Sequence, residues 1–193
     1  MAAPLIIISG PSGAGKTTTT DHLLARMPSL SRVITVTTRL PRIGERHGVH
    51  YFFVSRQTFQ ELAVTAAFLE INQFGEHLYG TPRSLLTFLT RNNIRLVLPD
   101  INGARALKKQ VPTAVCIWIE APAELLAQRL IARNSESAKD QESRLLMAQI
   151  EMREARSSGL YEHIIDMTDF GIAEEKIRKI IDTAMRQEPL RKG

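Results

Sequence analysis

The residues Gly10-Pro11-Ser12-Gly13-Ala14-Gly15-Lys16-Thr17 match G-x-x-x-x-G-K-[ST], with an apolar run before the string and a helix-forming run after it. Small residues in such a loop let successive backbone N–H groups curl around an anion, and the start of the following helix adds partial positive charge. Lys16 is placed to reach the β- and γ-phosphates of a nucleoside triphosphate, and the Thr17 hydroxyl to ligate magnesium. Thr18 could touch an α-phosphate, whereas Thr19 and Thr20 read as ordinary helix positions. The chemistry of such a loop is phosphoryl transfer, in which a protein mainly positions groups and neutralises charge.

A second anion site is suggested by Thr35-Val36-Thr37-Thr38-Arg39-Leu40-Pro41-Arg42. Arg39 and Arg42 stand three apart around a proline, so two forked guanidiniums could converge on one phosphate, with Tyr51 as a further donor. On periodicity alone the same two arginines read as part of a solvated loop.

The segment TTRLPRIGERHGVHYFFVS (residues 37–55) resembles the acceptor-binding signature of guanylate kinases, TTRxPRxGExxGxxYxFVS. Phe68-Leu69-Glu70 is similar to that family's F-[IL]-E, and Tyr79-Gly80-Thr81 to its Y-G-[ST]; with the phosphate loop, the likeness runs from residue 5 to about 185. The resemblance implies that Arg39, Arg42, Tyr51 and Tyr79 hold the phosphate of GMP. It implies too that Glu70 accepts from guanine N1–H and the 2-amino group, and that Thr35 and Thr81 offer hydroxyls to the base. A carboxylate suits guanine's two adjacent donors, which adenine lacks.

Arg129, Arg133 and Arg144 fall in a region that resembles the family's lid, with Arg133 and Arg144 at the spacing of its two ATP-clamping arginines. The catalytic set so implied is Lys16, Arg39, Arg133 and Arg144. Three departures stand out. The lid string is Ala132-Arg133-Asn134-Ser135 where the family has G-R-G-T. The segment Leu98-Pro99-Asp100-Ile101-Asn102-Gly103 reads as one residue short of the family's two acids followed by Gln-Gly, and leaves Asp100 as the candidate for the acceptor or for magnesium. Met167-Thr168 stands in place of the family's Asn-Asp beside the adenine.

These residues need a scaffold, and the pattern of the chain predicts one. Leu5–Ile8, Val33–Thr37, Ile94–Leu98, Ala114–Ile119 and Ile164–Asp166 read as strands, the first all apolar as in a sheet covered on both faces. Helices are expected over Thr17–Arg26, Thr58–Ala67, Arg83–Arg91, Asn102–Lys109, Pro122–Arg133, a long stretch ending near Arg156, and Ile172–Met185. Strands alternating with helices predict an α/β fold: a P-loop NTPase-type parallel sheet flanked by helices. The β-rich stretch 35–82 breaks the alternation and reads as a small nucleotide-monophosphate-binding insertion. The expected organisation is a single domain over 1–193, with core about 1–34, 83–125 and 154–193, insertion about 35–82 and helical lid about 126–153.

Composition fits a soluble domain, with 44% hydrophobic and 23% charged residues over 193 positions. No apolar run approaches the roughly 18–20 residues of a membrane span, and the start lacks a signal peptide's basic region. Cys116 is the single cysteine, which excludes an internal disulfide and agrees with a cytoplasmic location. The net charge of +5 comes without long basic runs or interleaved aromatics, so ATP and GMP are the expected partners, with neither nucleic acid nor membrane. Oligomeric state is left open. The five histidines show no metal-ligand spacing. The reading is ATP plus GMP to ADP plus GDP with magnesium. Its alternatives are a related kinase of a phosphorylated sugar such as ribose bisphosphate, and a non-catalytic guanylate-kinase-like binding module, which typically lacks the lysine present here as Lys16.

Overall fold

The computed structural model describes residues 5–89, 93–132 and 138–186. The strands β1 (Leu5–Ser9), β2 (Leu30–Arg32), β7 (Ile94–Val97), β8 (Val115–Glu120) and β9 (His163–Asp166) form one sheet in the order β2-β7-β1-β8-β9. All its pairings are parallel, with Ile6 beside both Leu96 and Val115. Every residue of β1 is buried, and its side chains alternate between two cores. Ile6 and Ile8 pack with Leu23 of helix α1 (Lys16–Arg26), Leu126 of α4 (Ala123–Ala132), and Ile177 and Ile181 of α6 (Phe170–Arg186). Leu5 and Ile7 face Ala104 and Leu107 of α3 (Ile101–Gln110) and Ala155 of α5 (Ala138–Ser157). A continuous apolar strand is what a sheet with helices on both faces requires.

The strands β3 (Thr35–Thr37), β4 (Tyr51–Phe53), β5 (Phe68–Phe74) and β6 (His77–Pro82) form a second sheet in the order β4-β3-β6-β5. It has its own small core of Val36, Phe59 and Phe68, closed by helix α2 (Arg56–Val64). The Ser55 hydroxyl accepts from Thr58 N–H at 3.0 Å and caps α2.

Two sequence expectations change. Val33–Thr37 is not one strand: Leu30–Arg32 pairs with β7 in the first sheet, and Thr35–Thr37 pairs with β4 and β6 in the second. The chain changes sheets at residues 33–34, after Val33 N–H donates to Leu96 at 2.7 Å. Of the helix expected over Arg83–Arg91, Arg83–Phe88 is a 3₁₀ turn, and residues 90–91 lie outside the described residues. Arg83 anchors its start, donating from its backbone to Ala67 O at 2.8 Å and from its guanidinium to Ala66 and Phe68 carbonyls at 3.0 Å each. Leu85 of that turn reaches the core.

Candidate active site

The phosphate loop leaves the carboxyl end of β1 and enters α1 as its pattern predicts. Gly15 sits at the helix start with φ 98°, a conformation that glycine adopts without a Cβ penalty. Gly10 has a separate reason to be glycine, because a Cβ there would lie 2.2 Å from the Ile119 carbonyl oxygen of β8. Lys16 Nζ donates to the loop's own carbonyls, Gly10 O and, at 3.0 Å, Pro11 O. Thr17 and Thr18 are exposed at the start of α1, whereas Thr19 and Thr20 are buried, as expected of helix positions.

A cavity of about 390 Å³ joins this loop to the second sheet. Gly10, Ser12 and Lys16 line one side; Thr35, Arg39, Arg42, Tyr51, Tyr79 and Thr81 line the other. Glu70 and Asp100 close the floor, and Arg144 and Glu151 of α5 form the roof. The fold thus brings together most of the residues selected from the sequence. Arg133 lies outside the described residues.

At the second anion site Arg39 is held flat by Glu45, which accepts from Arg39 Nη1 at 2.8 Å and Nη2 at 2.9 Å. The guanidinium lies 5.3 Å from the centroid of the Tyr51 ring and 5.6 Å from that of Phe53. Burial would lower the Arg39 pKa, but the hydrogen bonds and charge of Glu45 raise it beyond the usual arginine value. Burial likewise works to raise the Glu45 pKa, and the contacts with Arg39 and the Arg42 N–H, 2.7 Å away, hold it low instead. Arg42 has the opposite balance: desolvation, then the like charges of Arg39 and Arg144, push its pKa down. Three guanidiniums crowd this site, and Glu45 pairs with that of Arg39. An anion bound there relieves that repulsion.

The floor carries opposite charge. Glu70 Oε1 accepts from the Thr81 hydroxyl at 2.6 Å, while Oε2 is buried without a hydrogen-bond partner. Burial raises the Glu70 pKa, and nearby Asp100 adds to it. Asp100 caps α3 by accepting from Gly103 N–H at 2.9 Å, and its other oxygen accepts from Asn72 Nδ2. Its pKa is also raised, chiefly by burial. Glu151 is raised by burial and by repulsion from Asp100, against the attraction of Lys16.

On the roof, Arg144 Nη1 donates to Ser12 Oγ at 3.1 Å, so α5 reaches the phosphate loop. Arg129 of α4 spans that loop and the final one, with Nη1 3.4 Å from both Gly13 O and Ala14 O, and Nη2 3.1 Å from Met167 O. The Met167 side chain is fully buried in the core, so it presents no face to a bound base. No group of three or more carboxylate, histidine or cysteine residues forms a metal cage among the described residues. An exposed Thr17 beside Lys16 fits a magnesium ion carried mainly by phosphate oxygens and water.

Glu45, Asn72 and Glu151 were not singled out in the sequence. Glu151 had a readable signal, since it follows Arg144 by seven residues, two helical turns on the same face of α5. Glu45 needed its turn geometry, and Asn72 needed the irregularity of β5 described below.

Comparisons with known proteins agree with this geometry. The guanylate kinase family model matches residues 2–184. A guanylate kinase of Syntrophomonas wolfei is 38% identical over 179 residues, covering 92% of this chain and 87% of the relative. One from Streptomyces coelicolor is 37% identical over 150 residues, 77% of this chain and 76% of the relative. The crystal structure of guanylate kinase from Anaplasma phagocytophilum superimposes with a TM-score of 0.79 at 25% identity, covering 96% of this chain and 88% of that one. With a phosphate loop, an arginine cluster and a buried carboxylate around one cavity, and a family match over nearly its whole length, the chain belongs to the guanylate kinase family.

Proposed function

We propose that the protein transfers the γ-phosphoryl group of ATP to GMP, giving ADP and GDP, as a cytoplasmic enzyme of purine nucleotide metabolism. The observation that carries this reading is the single cavity with a phosphate loop at one side, an arginine cluster opposite, and the buried, unpartnered Glu70 Oε2 at its floor. ATP phosphates lie along Gly10–Thr18, and Lys16 leaves the Gly10 and Pro11 carbonyls for the β- and γ-phosphates. Arg39 and Arg42, with the hydroxyls of Tyr51 and Tyr79, orient the GMP phosphate. Its own oxygens are the nucleophile, so no side chain need form a covalent intermediate. Arg144, with Arg133, neutralises charge on the group in transit. Magnesium, when bound, neutralises the β- and γ-oxygens of the donor. Thr17 and Asp100 are the residues that would hold it. Residues about 35–82 act as the acceptor-binding insertion and about 126–153 as the lid.

Glu70 reads the base, accepting from N1–H and the 2-amino group, while Thr35 and Thr81 supply hydroxyls. The test is a coupled assay of ADP release with GMP, dGMP, AMP and ribose bisphosphate as acceptors. GMP, and to a lesser degree dGMP, should support turnover, and Lys16→Met should abolish it with an unchanged circular-dichroism melt. Turnover with ribose bisphosphate alone would replace this reading by a sugar-phosphate kinase. Binding of GMP without turnover would replace it by a binding module.

A further inference from the structure

We infer that Asn72 is a specificity-determining residue of the acceptor pocket: it fixes Asp100 with its amide nitrogen and reads the purine 2-amino group with its amide oxygen. The inference rests on the proposed GMP reading.

The argument begins with β5. Phe68 pairs with Pro82, but Glu70 pairs with Thr81, so two residues of β5 face one of β6 and Leu69 is the bulge. In a strand of strict alternation, Glu70, two residues after Phe68, would share its face in the core of the second sheet. The bulge turns Glu70 to the cavity, and Asn72, two residues on, lines the cavity with it while Ile71 points away and is exposed. Asn72 is directly opposite Tyr79, and Glu70 directly opposite Thr81.

Asn72 Nδ2 donates to Asp100 Oδ2, and Asp100 Oδ1 accepts from Gly103 N–H. An amide that spends its NH₂ on a carboxylate presents its carbonyl oxygen on the other side. The three groups also crowd one point: a Cβ on Gly103 would lie 3.4 Å from both Glu70 Oε2 and Asp100 Oδ1. The floor therefore carries acceptors, Glu70 Oε2 and Asn72 Oδ1 foremost, and few donors. A ligand edge that matches it must be rich in N–H. The 2-amino group of guanine has two hydrogens, and Glu70 can take one beside N1–H; Asn72 Oδ1 is the acceptor for the second. Hypoxanthine has N1–H and no amino group, so it leaves Asn72 unanswered.

The experiment compares GMP and IMP in the wild type, Asn72→Ala and Asn72→Leu; the leucine keeps the side-chain volume if the alanine variant folds poorly. Affinities come from calorimetry without ATP, and kcat/KM from the coupled assay with saturating ATP and magnesium. The GMP-to-IMP ratio should fall about tenfold in both variants, mainly through a higher KM for GMP. A ratio equal to wild type in either folded variant overturns the inference and leaves Asn72 as a structural tie between β5 and α3. If the wild type neither binds nor turns over GMP, the proposed function fails and this inference fails with it. Normal GMP turnover with an unchanged ratio sinks the inference alone.

Discussion

Glu70 has one oxygen on Thr81 and another buried without a partner, in a cavity it shares with Asp100 and Glu151. All three carboxyls titrate above their ordinary values, with burial the first cause in each. For Glu70 the ordinary value is 4.5. Between that value and the raised one, the folded chain keeps a proton that the unfolded chain has released. Stability therefore falls as pH rises through this window, and the penalty is fully present above it. Glu70→Gln removes the penalty, so its Tm relative to wild type should be higher at pH 7 than at pH 4, where both side chains are neutral. Catalysis should move the other way. The variant should lose about 2–4 kcal/mol of transition-state stabilisation with GMP, roughly 30- to 900-fold in kcat/KM. Wild-type GMP affinity should itself decline as pH falls through the raised Glu70 value. A Tm difference that does not change with pH would show that Glu70 carries no ionisation penalty in the free protein. Cys116 plays no part in this chemistry, since burial pushes its thiol up to about 12.

At the scale of elements, the loop that follows β9 stands where resemblance to the family expects the donor adenine. Asp166 Oδ1 accepts from Thr168 N–H at 2.8 Å and from the Thr168 hydroxyl at 2.6 Å. Asp169 caps α6 by accepting from Ile172 N–H at 2.9 Å, and Met167 O accepts from Arg129. The loop spends these polar atoms on its own geometry. Binding through the phosphate loop is blind to the base, so donor selectivity should be weak. The values of kcat/KM for ATP, GTP and CTP at saturating GMP should lie within about a hundredfold of one another, the range that packing alone supplies. A larger preference for ATP would mean that a group of this loop rearranges to pair with adenine.

The same scale explains what was legible beforehand. The all-apolar run before Gly10 gave away β1, and the phosphate-loop pattern located Lys16 and the start of α1 correctly, because both signals are local. The TTRLPR string and Glu70 were identified through resemblance, and the fold then brought Arg39, Arg42 and Glu70 to one cavity. What escaped was non-local. Val33–Thr37 looks like one β-branched strand, and only the two competing partners, β7 and β6, divide it between sheets. Asn72 reads as a polar position on a strand until the bulge at Leu69 reveals which face it occupies.

Across the whole molecule, groups of opposite charge meet in one cavity. The phosphate loop and Arg144, the arginines Arg39 and Arg42, and the acceptors Glu70, Asn72 and Asp100 all line it. Two sheets supply these groups: β1 of the parallel sheet leads into the phosphate loop, and the smaller sheet carries Thr35, Tyr51, Glu70, Tyr79 and Thr81. α5 is tied to the parallel-sheet side, with Arg144 on the phosphate loop and, further along, Arg105–Glu154 and Arg156–Glu120 joining it to α3 and β8. The charges match the groups of a nucleoside triphosphate facing a guanine monophosphate, cations for phosphates and acceptors for the base edge, and changing the acceptors for donors would suit another base. Competition measures this directly. Equimolar GMP and AMP are offered to the wild type with limiting γ-³²P-labelled ATP and magnesium, and the label in GDP and ADP is counted after separation. The account predicts label in GDP over ADP by about 10³-fold or more, as expected of a site that hydrogen-bonds its base. Comparable label in the two products would contradict it.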